Sequence, residues 1–398
     1  MDDFARPALV IDCGSAFIKA GFAGEVSPAV RDPSTVPRAA GLEPGPPLVP
    51  VKHGIVQDWD AMEQLWLDVT YRRLHVYTSD QPVILTEPPQ NSPESREQAA
   101  EVMFESLDVP ALHIGVQAQL ALYADYAARQ AMGSQTSSAS LTGLVVESGE
   151  GCTHVIPLVD GFLLASGTRS MPLGGAQLTR HIQALMRKGA APPPPDQSLE
   201  IAVAVKERQC FVTASGVGPG AAPAATRSPA AYQTVHSRTG QPLRIQLGEE
   251  RWRGPELFFD PGAFTKDAMP SLPDLIDDAI QACPIDTRRA LYGNIVLSPA
   301  SLRHAGREHP LQGPGSAAGD RGAGAGGCQG PGPSTCQPCS RTGVEVHVVT
   351  HPMQHFGAWF GGSVLGASEA FREVAITRAA YMETGPTIVR NNVVHSDW

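Results

Sequence analysis

The chain has 398 residues, enough to bury a sizeable core and to divide into two or more lobes. Its net charge of −10 argues against a binder that works by neutralising nucleic-acid phosphates with a basic face. Only 18% of the residues are charged, against about 25% in ordinary soluble domains, and 40 Gly with 36 Pro point to stretches that pack loosely.

The N-terminus, MDDFARPALVIDCG, is acidic at once and lacks the basic region that precedes the apolar run of a secretory leader. No apolar run approaches the roughly 18 residues of a membrane span. Seven cysteines, an odd number, fit free thiols in a reducing compartment. Cys336-Gln-Pro-Cys339 has the spacing of half a zinc or redox site. No second pair accompanies it, since Cys328 is an isolated thiol in a Gly/Pro tract.

The first predicted element is an apolar strand, Ala8 to Ile11, ending at Asp12. Cys13-Gly14-Ser15 turns it, and Phe17 to Phe22 returns as the second arm of a hairpin, with Gly21 and Gly24 too early for a helix. Residues 35–53 are a Pro/Gly-rich connector. Asp58 caps a helix whose stripe is Met62, Leu65, Trp66 and Val69. Pro82 to Thr86 is a short buried strand, and Pro93-Glu94 opens a helix running through Val102, Met103 and Leu107. Val116 to Tyr126 is Ala-rich and reads as helix. Gly143 to Val146 is a second strand ending on an acid, Glu147. It turns through Ser148-Gly149-Glu150-Gly151 to a partner at Thr153 to Pro157. Leu178 to Leu185 and Leu199 to Val212 read as helices, separated by a surface loop at Ala191–Pro195, and 213–232 reads as a linker. Leu272 to Ala282 is a further helix and Asn294 to Leu297 a strand. Residues 308–342 carry too little apolar mass to offset the entropy of ordering and are expected to be disordered. Order is expected again at Val344 to Val349 and Phe356 to Leu365.

Two strands thus end in an acid followed at once by a glycine-containing turn, Asp12-Cys-Gly-Ser and Glu147-Ser-Gly-Glu-Gly. Small residues in such turns let backbone N–H groups converge on phosphate oxygens. A carboxylate at each strand end can organise water around Mg²⁺. A P-loop is absent, and the one Gly-x-Gly-x-x-Gly match, Gly322 to Gly327, has no strand before it. A Gly-x-Ser-x-Gly hydrolase elbow is absent too.

Asp12-Cys-Gly-Ser-Ala-Phe-Ile-Lys-Ala-Gly21 and Glu147-Ser-Gly-Glu-Gly-Cys-Thr-His154 resemble the two phosphate hairpins of the actin family. Within it the likeness is stronger to the actin-related proteins of the seven-subunit actin-nucleating complex. It runs through His53-Gly-Ile-Val-Gln-Asp-Trp-Asp60, Leu85-Thr-Glu-Pro-Pro89, Glu101 to Leu107, Val116-Gln-Ala118, Ala204-Val-Lys-Glu-Arg208 and Cys283-Pro-Ile-Asp286. Thr350-His-Pro-Met-Gln-His355, Trp359-Phe-Gly-Gly-Ser363 and Gly385-Pro386 complete it, in collinear order except at 35–52, 213–242 and 302–342.

The resemblance implies an α/β, actin-like ATPase fold shared with Hsp70 and sugar kinases, two lobes around a nucleotide cleft, each a mixed sheet flanked by helices. Residues 1–34 would begin subdomain 1 and carry the first hairpin, 35–52 would be a truncated subdomain 2, and 53–140 would continue subdomain 1. Residues 141–176 would be subdomain 3 with the second hairpin, 177–270 subdomain 4, and 271–307 the rest of subdomain 3. The tract 308–342 would follow, then the return to subdomain 1 at 343–398. ATP or ADP with Mg²⁺ would be the cofactor, met by Gly14, Ser15, Lys19, Gly149, Gly151, Lys206 and Glu207. Lys19 would approach the β/γ-phosphates, and Lys206 and Glu207 the ribose and adenine. Asp12 and Glu147 would hold the cation through water, and Gln117 would face the attacking water.

The implied role is structural, with at most slow regulatory ATP hydrolysis. It is that of an ATP-binding subunit of the Arp2/3 complex in filament nucleation and branching, in the cytoplasm and actin-rich cell projections. Its implied partners are actin, actin-related protein 2, the other complex subunits and nucleation-promoting factors. Two further readings share the fold: a paralogue that acts through protein contacts without nucleotide, and a small-molecule kinase. A kinase would need a substrate-facing catalytic acid that the sequence does not display. The chain departs from the family at Ala16 (Gly), at Glu147 and Glu150 (both Asp), and at Ser298-Pro-Ala-Ser301 (Ser-Gly-Gly-Ser). These departures predict weakened nucleotide binding.

Overall fold

A computed structural model describes residues 3–38, 45–131, 141–189, 192–212, 230–265, 268–299, 346–349 and 353–390. The predicted disorder at 308–342, Cys328, Cys336, Cys339, Ala300 and Ser301 lie outside the described residues.

Along the first half run β1 (Leu9–Cys13), β2 (Phe17–Phe22), β3 (Val30–Pro33), the small hairpin β4 (Val51–Lys52) and β5 (Ile55–Val56), and α1 (Trp59–Leu67). Then come β6 (Val83–Glu87), α2 (Pro93–Glu101), β7 (Ala111–Val116) and α3 (Gln117–Ala131). β1 is buried from Leu9 to Asp12 because it lies inside its sheet, antiparallel to β2 and parallel to β6. The caps follow side-chain chemistry. Asp58 accepts from the Ala61 N–H at 3.0 Å, and Ser92 from the Ser95 N–H at 3.1 Å with Pro93 next in line.

The second half contains β8 (Gly143–Ser148), β9 (Thr153–Val159), β10 (Phe162–Leu163), β11 (Arg169–Met171), α4 (Gly175–Lys188) and α5 (Ser198–Gln209). It continues with β12 (Ala230–Val235), β13 (Pro242–Leu247), α6 (Glu250–Arg253), α7 (Leu272–Gln281), α8 (Ile285–Tyr292), β14 (Ile295–Pro299) and β15 (Val348–Val349). The chain then returns through α9 (Gly357–Gly366), α10 (Ala370–Val374), β16 (Ile376–Thr377) and α11 (Arg378–Thr384).

Two large sheets result among the described residues, ordered β16-β7-β6-β1-β2-β3 and β10-β9-β8-β14-β15 with β11 also on β9, beside the two-stranded pairs β4-β5 and β12-β13. Both large sheets mix parallel and antiparallel pairs, and the C-terminal β16 closes the edge of the first. Helix α3 joins the two cores. Ala118, Ala121 and Leu122 pack with Val145, Ile156 and Val296 of the second sheet, while Leu120 packs with Val10 and Ile84 of the first and with Trp359 of α9. Helix α9 lies directly on α3. A Cβ at Gly361 would stand 1.8 Å from the Leu120 carbonyl oxygen, so only glycine allows the backbones to meet there.

Three sequence expectations need correction. The helix expected from Val116 begins at Gln117, because Val116 closes β7, whose apolar run continues into the Ala-rich helix without punctuation. The helix expected to reach Val212 stops at Gln209, where Cys210 turns extended. The linker expected across 213–232 is already strand at Ala230, since Tyr232 pairs with Ile245 and packs on the core of the second lobe.

Candidate functional site: a cleft between two hairpins

The β1–β2 and β8–β9 turns face each other across a cavity of about 270 Å³. Every expected site residue lines it: Asp12, Gly14, Ser15, Lys19, Gln117, Glu147, Gly149, Gly151, Lys206 and Glu207. Sheet register produces this convergence. Asp12 sits opposite Lys19 in the first hairpin, and Glu147 opposite His154 in the second.

The first turn is braced from outside. The Gly14 N–H donates to the Phe17 carbonyl at 3.1 Å, and the Ser34 hydroxyl donates to the Gly14 carbonyl at 2.6 Å. The Ser15 hydroxyl accepts from the Gly54 N–H at 2.8 Å, which ties the turn to the His53–Gly54 bend. The second turn closes through the Gly149 N–H donating to the Cys152 carbonyl at 3.0 Å. Its Gly149 and Glu150 carbonyls accept the first N–H groups of α4, from Gly175 and Ala176, both at 2.9 Å. A Cβ at Gly151 would come 2.8 Å from His53 Nδ1, so glycine lets the first lobe's His53 lie against the second hairpin.

Asp12 is buried at the centre. Thr86 Oγ1 donates to its Oδ1 at 2.6 Å, Gln117 Nε2 to the same oxygen at 2.9 Å, and Lys19 Nζ to Oδ2 at 2.5 Å. Burial alone pushes this carboxyl up, but the Lys19 ammonium and the three hydrogen bonds outweigh it and hold it below the ordinary Asp range. Gln117, the first residue of α3, also reaches Thr86 Oγ1 at 3.3 Å. Its amide is thus aimed into the cleft and does not merely cap the helix.

Glu147 stands in the opposite state. Its Oε2 is shielded from solvent and has no hydrogen-bond partner among the described residues. Burial first and the Asp12 charge second push its carboxyl up to about 8, with Lys19 pulling the other way. The folded protein therefore holds this proton at pH values where the unfolded chain, near the ordinary 4.5, has lost it. Through this group, stability falls as pH rises from about 4.5 to about 8. Glu147→Gln is expected to flatten that part of the profile, raising the nucleotide-free unfolding midpoint at pH 8 and leaving it unchanged at pH 4.5. A denaturant series across that range checks the prediction.

On the second lobe, buried Lys206 directs Nζ to the Gly175 carbonyl at 3.2 Å and Glu150 Oε2 at 3.4 Å. Glu150 Oε2 fills the space where a Cβ of Gly175 would be, 2.2 Å away. Glu207 faces the other lobe, 3.9 Å from Arg31. Pro299 ends β14 opposite Ser148, a strand terminus where its missing N–H costs little.

The lining fits a nucleotide with its cation on its own chemistry. The turns place glycines where side chains would intrude, and an orphaned carboxyl oxygen lies beside an ionised carboxylate. No cluster of three or more His, Cys, Asp or Glu among the described residues could cage a metal alone. Two acids without a closed protein cage match a Mg²⁺ ion whose remaining ligands are phosphate and water.

His53 and Arg31 line the cleft and Thr86 supports Asp12 from behind it, yet residue type alone did not single them out. Thr86 and His53 fall inside quoted motifs. Arg31 lies on β3, a strand whose Val-Arg-Asp-Pro sequence offers no alternation to reveal it.

The described residues include no helix long and apolar enough to cross a membrane. The actin family model matches residues 48–394. Actin-related protein 3 of Drosophila melanogaster is 36% identical over 427 residues, covering 98% of this chain and 98% of the relative. Actin-related protein 3 of Caenorhabditis elegans is 36% identical over 424 residues, covering 98% of this chain and 97% of the relative.

Proposed function

The chain belongs to the actin family, and from that premise we propose that it is a nucleotide-clamped assembly subunit of an Arp2/3-type complex, acting in actin nucleation and branching. The observation that carries this reading is the convergence of two acid-ended, glycine-turned hairpins, one from each lobe, on a single cleft. Likeness across nearly the whole chain to proteins named actin-related protein 3 supports the subunit assignment. Actin, actin-related protein 2, the other subunits and nucleation-promoting factors are the corresponding partners, and the actin-rich cytoplasm the corresponding location. The subdomain boundaries at 34, 52, 140, 176, 270, 307 and 342 belong to the same reading.

ATP or ADP with Mg²⁺ supplies negative charge and a divalent centre that both hairpins can hold at once. The turn amides around Gly14, Ser15, Gly149 and Gly151 would receive the phosphates. Lys19 would exchange its bond to Asp12 for phosphate, freeing the Asp12 carboxylate for the cation's water shell. Glu147 would lose its proton there and take up the partner its Oε2 lacks. Gln117, already hydrogen-bonded to Asp12 and Thr86, would orient water at the same corner. Lys206 and Glu207 would border the ribose and adenine. Binding then favours the closed arrangement of the lobes, and with it the surface offered to actin.

A second reading, a partner-binding paralogue without nucleotide, draws on one specific observation. Each cationic side chain named in the cleft faces an acid: Lys19 faces Asp12, Lys206 faces Glu150 and Arg31 faces Glu207. Co-expression with the remaining subunits of an Arp2/3 complex tests the assembly role. Recovery of a stoichiometric complex that accelerates pyrene-actin polymerisation is expected. Failure of the folded chain to enter the complex would sink it.

A further inference from the structure

Arg31 is the cleft's one described side chain that carries a positive charge from the first lobe directly to an acid of the second. It lies on β3, where register sets it beside Lys19 of β2, so both cations stand on the cleft side of the sheet. Its guanidinium lies 4.4 Å from the centre of the Phe17 ring, which fixes its direction at little cost in side-chain freedom. From there Arg31 Nη2 reaches Glu207 Oε1 at 3.9 Å, with both side chains about one-third exposed. The neighbouring residue on α5, Lys206, is tied to Glu150 of the second hairpin. The last turn of α5 is thereby held from two sides, by the second hairpin through Lys206 and by the first lobe through Glu207.

We propose that Arg31 is a positioning residue that acts through Glu207 as a strut across the cleft mouth, slowing nucleotide release by holding the lobes together. The proposal rests on the nucleotide reading of this cleft for its effect on release, but not for the strut itself. A partly exposed ion pair contributes modestly, so the effect is a kinetic bias and not a lock. Opening the mouth separates Arg31 from Glu207, while Arg31 keeps its place over Phe17.

The test is a charge swap. Arg31→Glu, Glu207→Arg, the double variant and a milder Arg31→Met are compared for release of Mg-etheno-ATP by stopped flow. Amide hydrogen exchange of residues 30–33 and 198–209 is followed in the nucleotide-free proteins. Each single reversal is expected to speed release about fivefold, the upper range for exposed pairs, and to raise exchange in both segments. The double variant should return exchange in both segments to within about twofold of wild type, while its nucleotide release stays faster because Glu207 also borders the ribose in the proposed site. Unchanged release in both Arg31 variants, or no recovery of exchange in the swap, overturns the strut. If the wild type holds no nucleotide, the exchange arm decides. The same rise and recovery sustain the strut while the nucleotide reading fails, and unchanged exchange in both single variants overturns it.

Discussion

Arg96→Met is expected to destabilise the first lobe by about 3–5 kcal/mol, the cost of leaving a buried charge without its partner. Arg96 and Glu87 are both buried and form an ion pair where α2 passes the end of β6, with Arg96 Nε donating to Glu87 Oε2 at 3.0 Å. Arg96 also donates to the Val389 carbonyl at 3.2 Å, which ties the C-terminal segment to the same point. Burial pulls the guanidinium down to about 10, a sign that desolvation presses on this pair. Methionine would leave Glu87 in the interior with only Asn91 Nδ2, at 3.0 Å, as a described side-chain donor. The Arg96→Met, Glu87→Leu double variant should recover most of the loss, because an apolar pair of similar volume leaves no unpaired charge. Urea unfolding followed by tryptophan fluorescence checks both. Equal stability of the single variant and wild type would mean that the pair contributes nothing net.

The second large effect lies in the cleft. Lys19→Ala is expected to weaken Mg-ATP binding at least tenfold, in the range of a lost charge-assisted contact. Lys19 neutralises Asp12 at 2.5 Å. Its removal leaves Asp12 facing Glu147 across the strand ends with no ammonium between them. The Asp12 carboxyl should then rise, because the charge that outweighed its burial is gone. The variant is expected to lose stability as well as affinity. Nucleotide titrations are therefore read at a temperature where it stays folded by circular dichroism. Unaltered affinity would place the phosphates away from the first hairpin.

Much of the site was legible in the sequence because it is built from local signals. An apolar run, an acid, a glycine turn and a second apolar run specify a hairpin, and both hairpins form as expected. The caps at Asp58 and Ser92 are local in the same way. Contacts that depend on distant partners were not legible. Nothing near residue 31 announces that β3 will set Arg31 beside Lys19 and opposite Glu207. The closeness of α3 and α9 is likewise invisible until Gly361 is seen against Leu120. The strand β7 was hidden by its seamless continuation into α3, and β12 by the Ala-rich composition it shares with the sequence before it. The departures at Glu147 and Glu150 were visible as residue types, but their consequences diverge only in three dimensions. Glu150 finds Lys206, whereas Glu147 keeps an oxygen without a partner among the described residues.

The proposed assembly role rests on this cleft binding a nucleotide with its cation. The most direct measurement is isothermal titration of Mg-ATP into the purified, folded wild-type protein, repeated with ATP in EDTA. A saturating heat at one nucleotide per chain, with micromolar or tighter affinity that weakens without Mg²⁺, is the predicted result. Absence of any binding heat from folded protein across the same range would contradict the clamp and leave the chain to act through protein contacts alone.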